Sequence, residues 1–168
     1  MTHRDMLEAL IEKTELTVRN ARAIYRYDFA MPHIGAENMG KTLGKFYHYS
    51  NRITYNPGMF NVMFDHMHSN TVPHEVAHLV VAKLYPNAKQ AHGPEFRSVA
   101  ARLGCTDTKA KAQLSQAGVE SFIESGKYVP YNCGCKDTKI MTRIQAAKMR
   151  AGRSMYTCKS CNQRISVG

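Results

Sequence analysis

The sequence predicts an α+β fold: a mostly helical front domain over residues 1–126 and a small basic β unit over residues 127–168. Three observations predict it. Apolar residues recur at helical spacing over residues 4–26. A Gly-rich, Tyr-rich, alternating stretch over residues 27–58 reads as containing two paired strands. Four of the five cysteines fall in two close pairs after residue 126. The 168 residues suit one compact domain with a small appendage. Apolar residues make up 43%, which argues against disorder. No apolar run approaches the roughly 20 residues of a spanning helix. The N-terminus carries no apolar signal core, so a cytoplasmic protein is expected, nucleoid-associated in a bacterium or a virus.

The first helix rests on Met6, Leu7, Leu10, Ile11 and Leu16. Two strands, Phe46–Tyr49 and Arg52–Tyr55, are joined by a Ser50-Asn51 turn and closed by Asn56-Pro57-Gly58. Residues 59–68 read as a short helix. Asn70 or Thr71 can cap the next helix, Val72 to Tyr85, with Pro73 tolerated in its first turn and Pro86-Asn87 stopping it. His92-Gly93-Pro94 opens another helix, whose stripe is Phe96, Val99, Ala100 and Leu103 and whose stop is Gly104. Residues 108–125 read as a weakly patterned helix. From Lys127 onward short strands and turns surround the cysteines.

His74-Glu75-Val76-Ala77-His78 is an H-E-x-x-H motif. On a helix, residues i and i+4 share a face one turn apart, so two imidazoles there can grip one zinc ion. Glu75, beside the first ligand, can take a proton from an attacking water as general base. A catalytic zinc needs a third ligand and an open fourth position. Val81 and Leu84 stand where the metzincin extension needs Gly and His. Glu95, Glu120 and Glu124 are available, but His92 is better placed, in a Gly-Pro turn 14 residues after His78. His66 and His68 read as exposed loop residues. A Tyr or His within residues 46–56 could stabilise an oxyanion.

Cys133-x-Cys135 and Cys158-x-x-Cys161, 22 residues apart, make two jaws of a tetrahedral Cys₄ site with a β-hairpin between them, the arithmetic of a structural zinc ribbon. Gly134 makes the shorter first jaw feasible. Cys105, alone after Gly104, reads as a buried inert thiol. Two zinc ions are expected, one catalytic and one structural.

Charge is uneven. Residues 127–168 hold nine basic and one acidic side chain, whereas residues 1–126 hold 14 and 12. Such a field attracts polyanions, above all nucleic acid. Lys136, Lys139, Arg143, Lys148, Arg150, Arg153, Lys159 and Arg164 could follow a phosphate backbone, and Tyr128, Tyr131 and Tyr156 could stack on unpaired bases. DNA with single-stranded character is the expected partner, and a monomer the expected state.

Taken together, Val72–Leu79, His92–Phe96, Pro130–Cys135 and Tyr156-x-Cys158-x-x-Cys161 resemble the SprT-like family, as does Arg52–Pro57 ahead of the metal helix. The resemblance covers residues 10–168 and is nearest to the short bacterial-type, Spartan-related members. It implies a zincin-like zinc metalloprotease domain with His74, His78 and His92 as ligands and Glu75 as general base, followed by a small C-terminal β zinc ribbon. It also implies hydrolysis of DNA-associated proteins, in DNA–protein crosslink repair. Two rivals stay open: a non-proteolytic, zinc-containing DNA-binding regulatory protein, and a peptidase acting without nucleic acid. An intact Glu75 argues against the first, and the basic tail against the second.

Overall fold

The computed structural model describes residues 1–106 and 116–168. It divides into two compact units, Met1–Ala112 and Gln113–Gly168.

In the first unit, helix α1 (His3–Tyr25) starts at a capping box: the Asp5 amide donates to Thr2 Oγ1 (3.2 Å) and the Thr2 amide to Asp5 Oδ2 (2.7 Å). It ends at Arg26, in the left-handed region at φ 50°. Its inward face is Leu10, Thr14, Thr17, Val18 and Ala21. Leu16, expected on that face, is 45% exposed. Threonines can line a buried face because their hydroxyls are satisfied locally. Thr14 Oγ1 donates to the Leu10 carbonyl at 2.6 Å and meets the Tyr55 hydroxyl at the same distance, and Thr17 Oγ1 donates to the Lys13 carbonyl.

Strands β1 (His33–Ala36), β2 (Gly44–Tyr47) and β3 (Arg52–Tyr55) form one sheet in the order β1-β3-β2. The expected hairpin is present, with Phe46 opposite Ile53 and Tyr47 opposite Arg52. Strand β1 was not expected and pairs with β3 in parallel. A 3₁₀ turn (Pro57–Met59), α2 (Phe60–His66), a π turn (Met67–Thr71) and α3 (Val72–Leu84) then run on without interruption. Neither Asn70 nor Thr71 caps α3 with its side chain, because the preceding turn already supplies carbonyls to its amides. His66 and His68 accordingly lie on helical turns and are half-buried, not in an exposed loop. Helix α4 (Pro94–Arg102) packs Phe96, Val99 and Ala100 inward, and Gly104 after it sits at φ 86°.

The second unit begins with α5 (Gln116–Glu124), which falls before the expected boundary at 126. It groups with the tail because the Phe122 ring packs edge-on against Tyr128, centroids 4.8 Å apart. Residues 108–115 of the expected 108–125 helix lie outside the described residues. Strands β4 (Tyr128–Tyr131) and β5 (Lys139–Thr142) pair antiparallel. The segment between the cysteine jaws is not a hairpin. It supplies β5, which pairs with a strand ahead of the first jaw, and then α6 (Arg143–Arg150). Helix α6 forms because Thr142 and Gln145 make a second capping box and Ala146 can be buried with Met141, Cys158 and Ile165. No helix among the described residues is long and apolar enough to cross a membrane.

Candidate metal centres

Helix α3 projects His74 and His78 from successive turns of one face. A loop after Leu84 returns the chain so that His92 meets them. That return is tight at Gly93: its amide donates to the Gln90 carbonyl (3.1 Å), and a Cβ there would stand 3.2 Å from the same oxygen. The His92 carbonyl accepts from Arg97 Nη1 at 3.0 Å. His74 Nε2 and His78 Nε2 each lie 3.1 Å from His92 Nε2. Phe96, fully buried, packs against all three rings with centroids 4.8, 4.5 and 4.7 Å away. Sequence reasoning gave Phe96 only a core role, and its spacing from His92 carries no further signal.

The donor set fits a metal ion. One imidazole nitrogen has a single lone pair or a single N–H, so His92 Nε2 cannot be satisfied by two partners at once. A cation accepts all three lone pairs. Zinc–nitrogen bonds of about 2.0–2.1 Å place tetrahedral donors about 3.3–3.4 Å apart, close to the spacing seen. Burial, and then the neighbouring His74 and His92, push His78 down to about 3, while burial lowers His92. Both are therefore held neutral, the form that ligates. No carboxylate joins the three imidazoles among the described residues, so Glu95, Glu120 and Glu124 are not brought to the group.

Glu75 is 6% exposed, and its Oε2 accepts the Phe46 amide at 2.9 Å. Burial raises its carboxyl to about 7, against the opposing pull of that amide. Glu75, the three histidines and β2 line one open cleft of about 540 Å³. Of the Tyr and His residues considered for an oxyanion, only His48 reaches this cleft. Tyr55 is fully buried against Thr14, Tyr47 donates to Glu37 Oε2 (2.8 Å), and Tyr49 is fully exposed. Sequence reasoning missed Tyr85, which also lines the cleft.

The four cysteines Cys133, Cys135, Cys158 and Cys161 form a second candidate group, their sulfurs all within 4.8 Å of one another and free of disulfides. The Cys135 and Cys158 sulfurs are 3.7 Å apart, against about 3.8 Å for a tetrahedron of zinc–sulfur bonds near 2.3 Å. The Ser160 and Cys161 amides lower Cys158 to about 6, toward the thiolate, and the Cys133 thiol raises Cys135 to about 12. Gly134 fits because the Gln163 side chain occupies the space of a Cβ. Cys105 is buried, its thiol 3.6 Å from the Asn70 carbonyl.

The basic candidates divide. Lys136, Arg143, Lys148, Arg153 and Lys159 are exposed. Lys139 is half-buried and lies 3.9 Å from Asp137, Arg150 donates to the Gly168 carbonyl, and Arg164 reaches the Met155 sulfur at 2.8 Å. The tyrosines are half-buried: Tyr128 packs against Phe122, Tyr131 has its hydroxyl 3.8 Å from Cys158 Sγ, and Tyr156 packs against the buried cluster of the unit.

The SprT-like family model matches residues 7–116. The chain is similar to Protein SprT of Shewanella oneidensis, 24% identical over 96% of this chain and 99% of that one. It is 27% identical to Protein SprT of Vibrio parahaemolyticus over 87% of this chain and 84% of the relative. It is 25% identical to Protein SprT of Pseudomonas fluorescens SBW25 over 95% and 94%. No solved structure gives a significant match.

Proposed function

The chain belongs to the SprT-like family, and from that premise we propose that it is a zinc metalloendopeptidase acting on DNA-associated proteins. Its front unit would be a zincin-like catalytic domain and its C-terminal unit a DNA-binding zinc ribbon carrying an added helix. The observation that carries this reading is the approach of His74 and His78 Nε2 to 3.1 Å from His92 Nε2, with Glu75 in the same cleft. His74, His78 and His92 would hold one zinc ion with a position left open, and the four cysteines would enclose another. In the histidine site zinc supplies Lewis-acid polarisation of a peptide carbonyl and acidifies water.

The remaining roles fall to side chains and backbone. Glu75 takes a proton from water at its carboxylate and returns it to the leaving amine. The Phe46 amide fixes its Oε2 while it does so. Strand β2 is an edge strand beside the cleft and can pair with an extended peptide backbone. His48, which lines the same cleft, would donate to developing negative charge on the carbonyl oxygen. The excess of nine cations over one carboxylate in residues 127–168 supports a DNA-bound substrate, and hence crosslink repair.

The test is cleavage of a DNA-binding protein by the full chain, with and without DNA. Wild type should cleave and be stimulated by DNA; Glu75→Gln should keep its zinc and lose cleavage. Undiminished cleavage by Glu75→Gln would assign the base elsewhere. Inactive wild type would favour the non-proteolytic regulator.

A further inference from the structure

Among the described residues, helix α6 leaves one face without a partner. Ala146 and Met149 pack into the core of the C-terminal unit, and Gln145 beside them is half-buried. At 100° per residue, Arg150, Arg143, Ala147, Ala151, Ile144 and Lys148 follow one another across the opposite arc of about 160°. All six are exposed. Small and apolar residues hold the middle of that arc and cations hold both edges. Ile144 is 71% exposed, and no packing among the described residues of the unit accounts for it. The face carries no carboxylate, and the one acidic residue after residue 126, Asp137, lies beside Lys139.

We infer that this face of α6 docks B-form duplex DNA, lying in the major groove with Ala147 and Ile144 toward the base edges and Arg143 and Lys148 on flanking phosphates. The inference rests on the nucleic-acid reading above and specifies the form and the contact. Eight helical residues span about 12 Å, and a major groove about 12 Å wide admits a helix. Ala147 lets the helix backbone come close. An apolar side chain at the centre of a cationic face is of no use to phosphate but packs on thymine methyl groups. The Thr142–Gln145 capping box fixes the start of the helix, whose partial positive charge also favours phosphate. Single strands fit less well, because stacking needs open aromatic faces and Tyr128, Tyr131 and Tyr156 are half-buried. Duplex RNA fits less well, because its major groove is too narrow for side chains to read.

The experiment is fluorescence anisotropy with the full chain at two salt concentrations, on a DNA duplex, the RNA duplex of the same sequence and the DNA single strand. Wild type should prefer the DNA duplex. Ala147→Glu should weaken duplex binding by about tenfold or more, through like-charge repulsion and bulk at the centre of the face. Arg143→Gln with Lys148→Gln should flatten the salt slope by about 2, and serves as the second variant should Ala147→Glu lose zinc or helicity. Lys136→Gln with Lys159→Gln, on the cysteine turns, should weaken binding less. Preference for the single strand or for RNA overturns the proposal. So does wild-type duplex affinity in Ala147→Glu; if the Lys136 and Lys159 pair then carries the loss, the face is wrong and the nucleic-acid reading stands. Wild type that binds no nucleic acid at low salt overturns both.

Discussion

The Phe46 amide donates to Glu75 Oε2 across 2.9 Å, tying the open edge strand of the sheet to the first turn of the metal helix. The bond orients a carboxylate that is otherwise almost enclosed. It favours the charged form, yet burial outweighs it and carries the carboxyl up to about 7.

That imbalance has a stability consequence in the metal-free protein. Between about pH 4.5 and 7 the folded chain keeps a proton on Glu75 that the unfolded chain releases. Glu75 therefore leaves stability untouched below that window and lowers it as pH rises through it. Glu75→Gln, neutral throughout, should match wild type near pH 4.5 and exceed it by on the order of 3 kcal/mol above pH 7. His78 acts in the opposite sense, its stability lost as pH falls from about 6.5 toward 3; it is common to both proteins and cancels in the difference. Urea melts in chelator at pH 4.5 and 7.5 measure this, and an equal difference at both values would remove Glu75 from the response.

Gly44 allows the strand to come so near. A Cβ there would stand 2.8 Å from Thr71 Cγ2, 3.2 Å from Glu75 Cγ and 3.3 Å from Tyr55 Cδ1. Tyr55 is fully buried and cannot yield. Gly44→Ala should cost about 1–3 kcal/mol and lower kcat more than it raises KM, by displacing the Phe46 amide from Glu75. Thr71→Ser removes the nearest methyl and should recover part of the loss in the double variant. A double-mutant cycle with no coupling would contradict this account.

Elements with strong local signals were legible in the sequence. The hydrophobic stripe of α1, the turn at Asn51, Pro73 at the start of α3 and Pro94 at the start of α4 each carry their own physical cause. Strand β1 was not legible: it has four residues, two of them small, and its parallel partner is distant in the chain. Helix α6 was legible and overlooked, since Thr142-x-x-Gln145 is a capping box; the cysteine spacing drew the reading toward a hairpin. The meeting of His74, His78 and His92 followed from spacing alone. The Phe46–Glu75 bond did not, because its donor is a backbone amide 29 residues away and any side chain there would serve. The half-burial of the tail tyrosines was not legible, because composition does not distinguish a ring that packs from one that waits for a base.

The two candidate centres use no residue in common, so their metal should be separable. Reconstituted wild type should hold two zinc ions per chain. His92→Ala should lose one and keep the cysteine-bound ion, whereas Cys158→Ser should do the reverse and loosen the C-terminal unit, whose buried cluster includes Cys158. Elemental analysis counts the ions, and near-ultraviolet absorption of a cobalt-substituted sample identifies thiolate ligation. A wild type with one ion, or a His92→Ala protein with two, would be incompatible with this assignment.

Tyr131 separates two roles that one substitution can tell apart. Its hydroxyl donates toward Cys158 Sγ at 3.8 Å, and burial together with the nearby thiols raises its own proton affinity, so it stays a donor across the working pH range. A donor to a ligating sulfur orients it and tunes its charge, and loss of such a contact commonly weakens metal binding by about 10–100-fold. The contact here is long, so the lower end is expected. Tyr131→Phe keeps the aromatic ring and removes only the hydroxyl. If Tyr131 supports the cysteine site, zinc competition with a chelator should show about tenfold weaker binding there, with DNA affinity at saturating zinc unchanged. If Tyr131 were instead a stacking residue, Phe would preserve both zinc and DNA binding, and Tyr131→Ala alone would weaken DNA binding with zinc still bound. Unchanged zinc affinity in Tyr131→Phe, together with weakened DNA binding in Tyr131→Ala, would return this ring to the nucleic-acid surface.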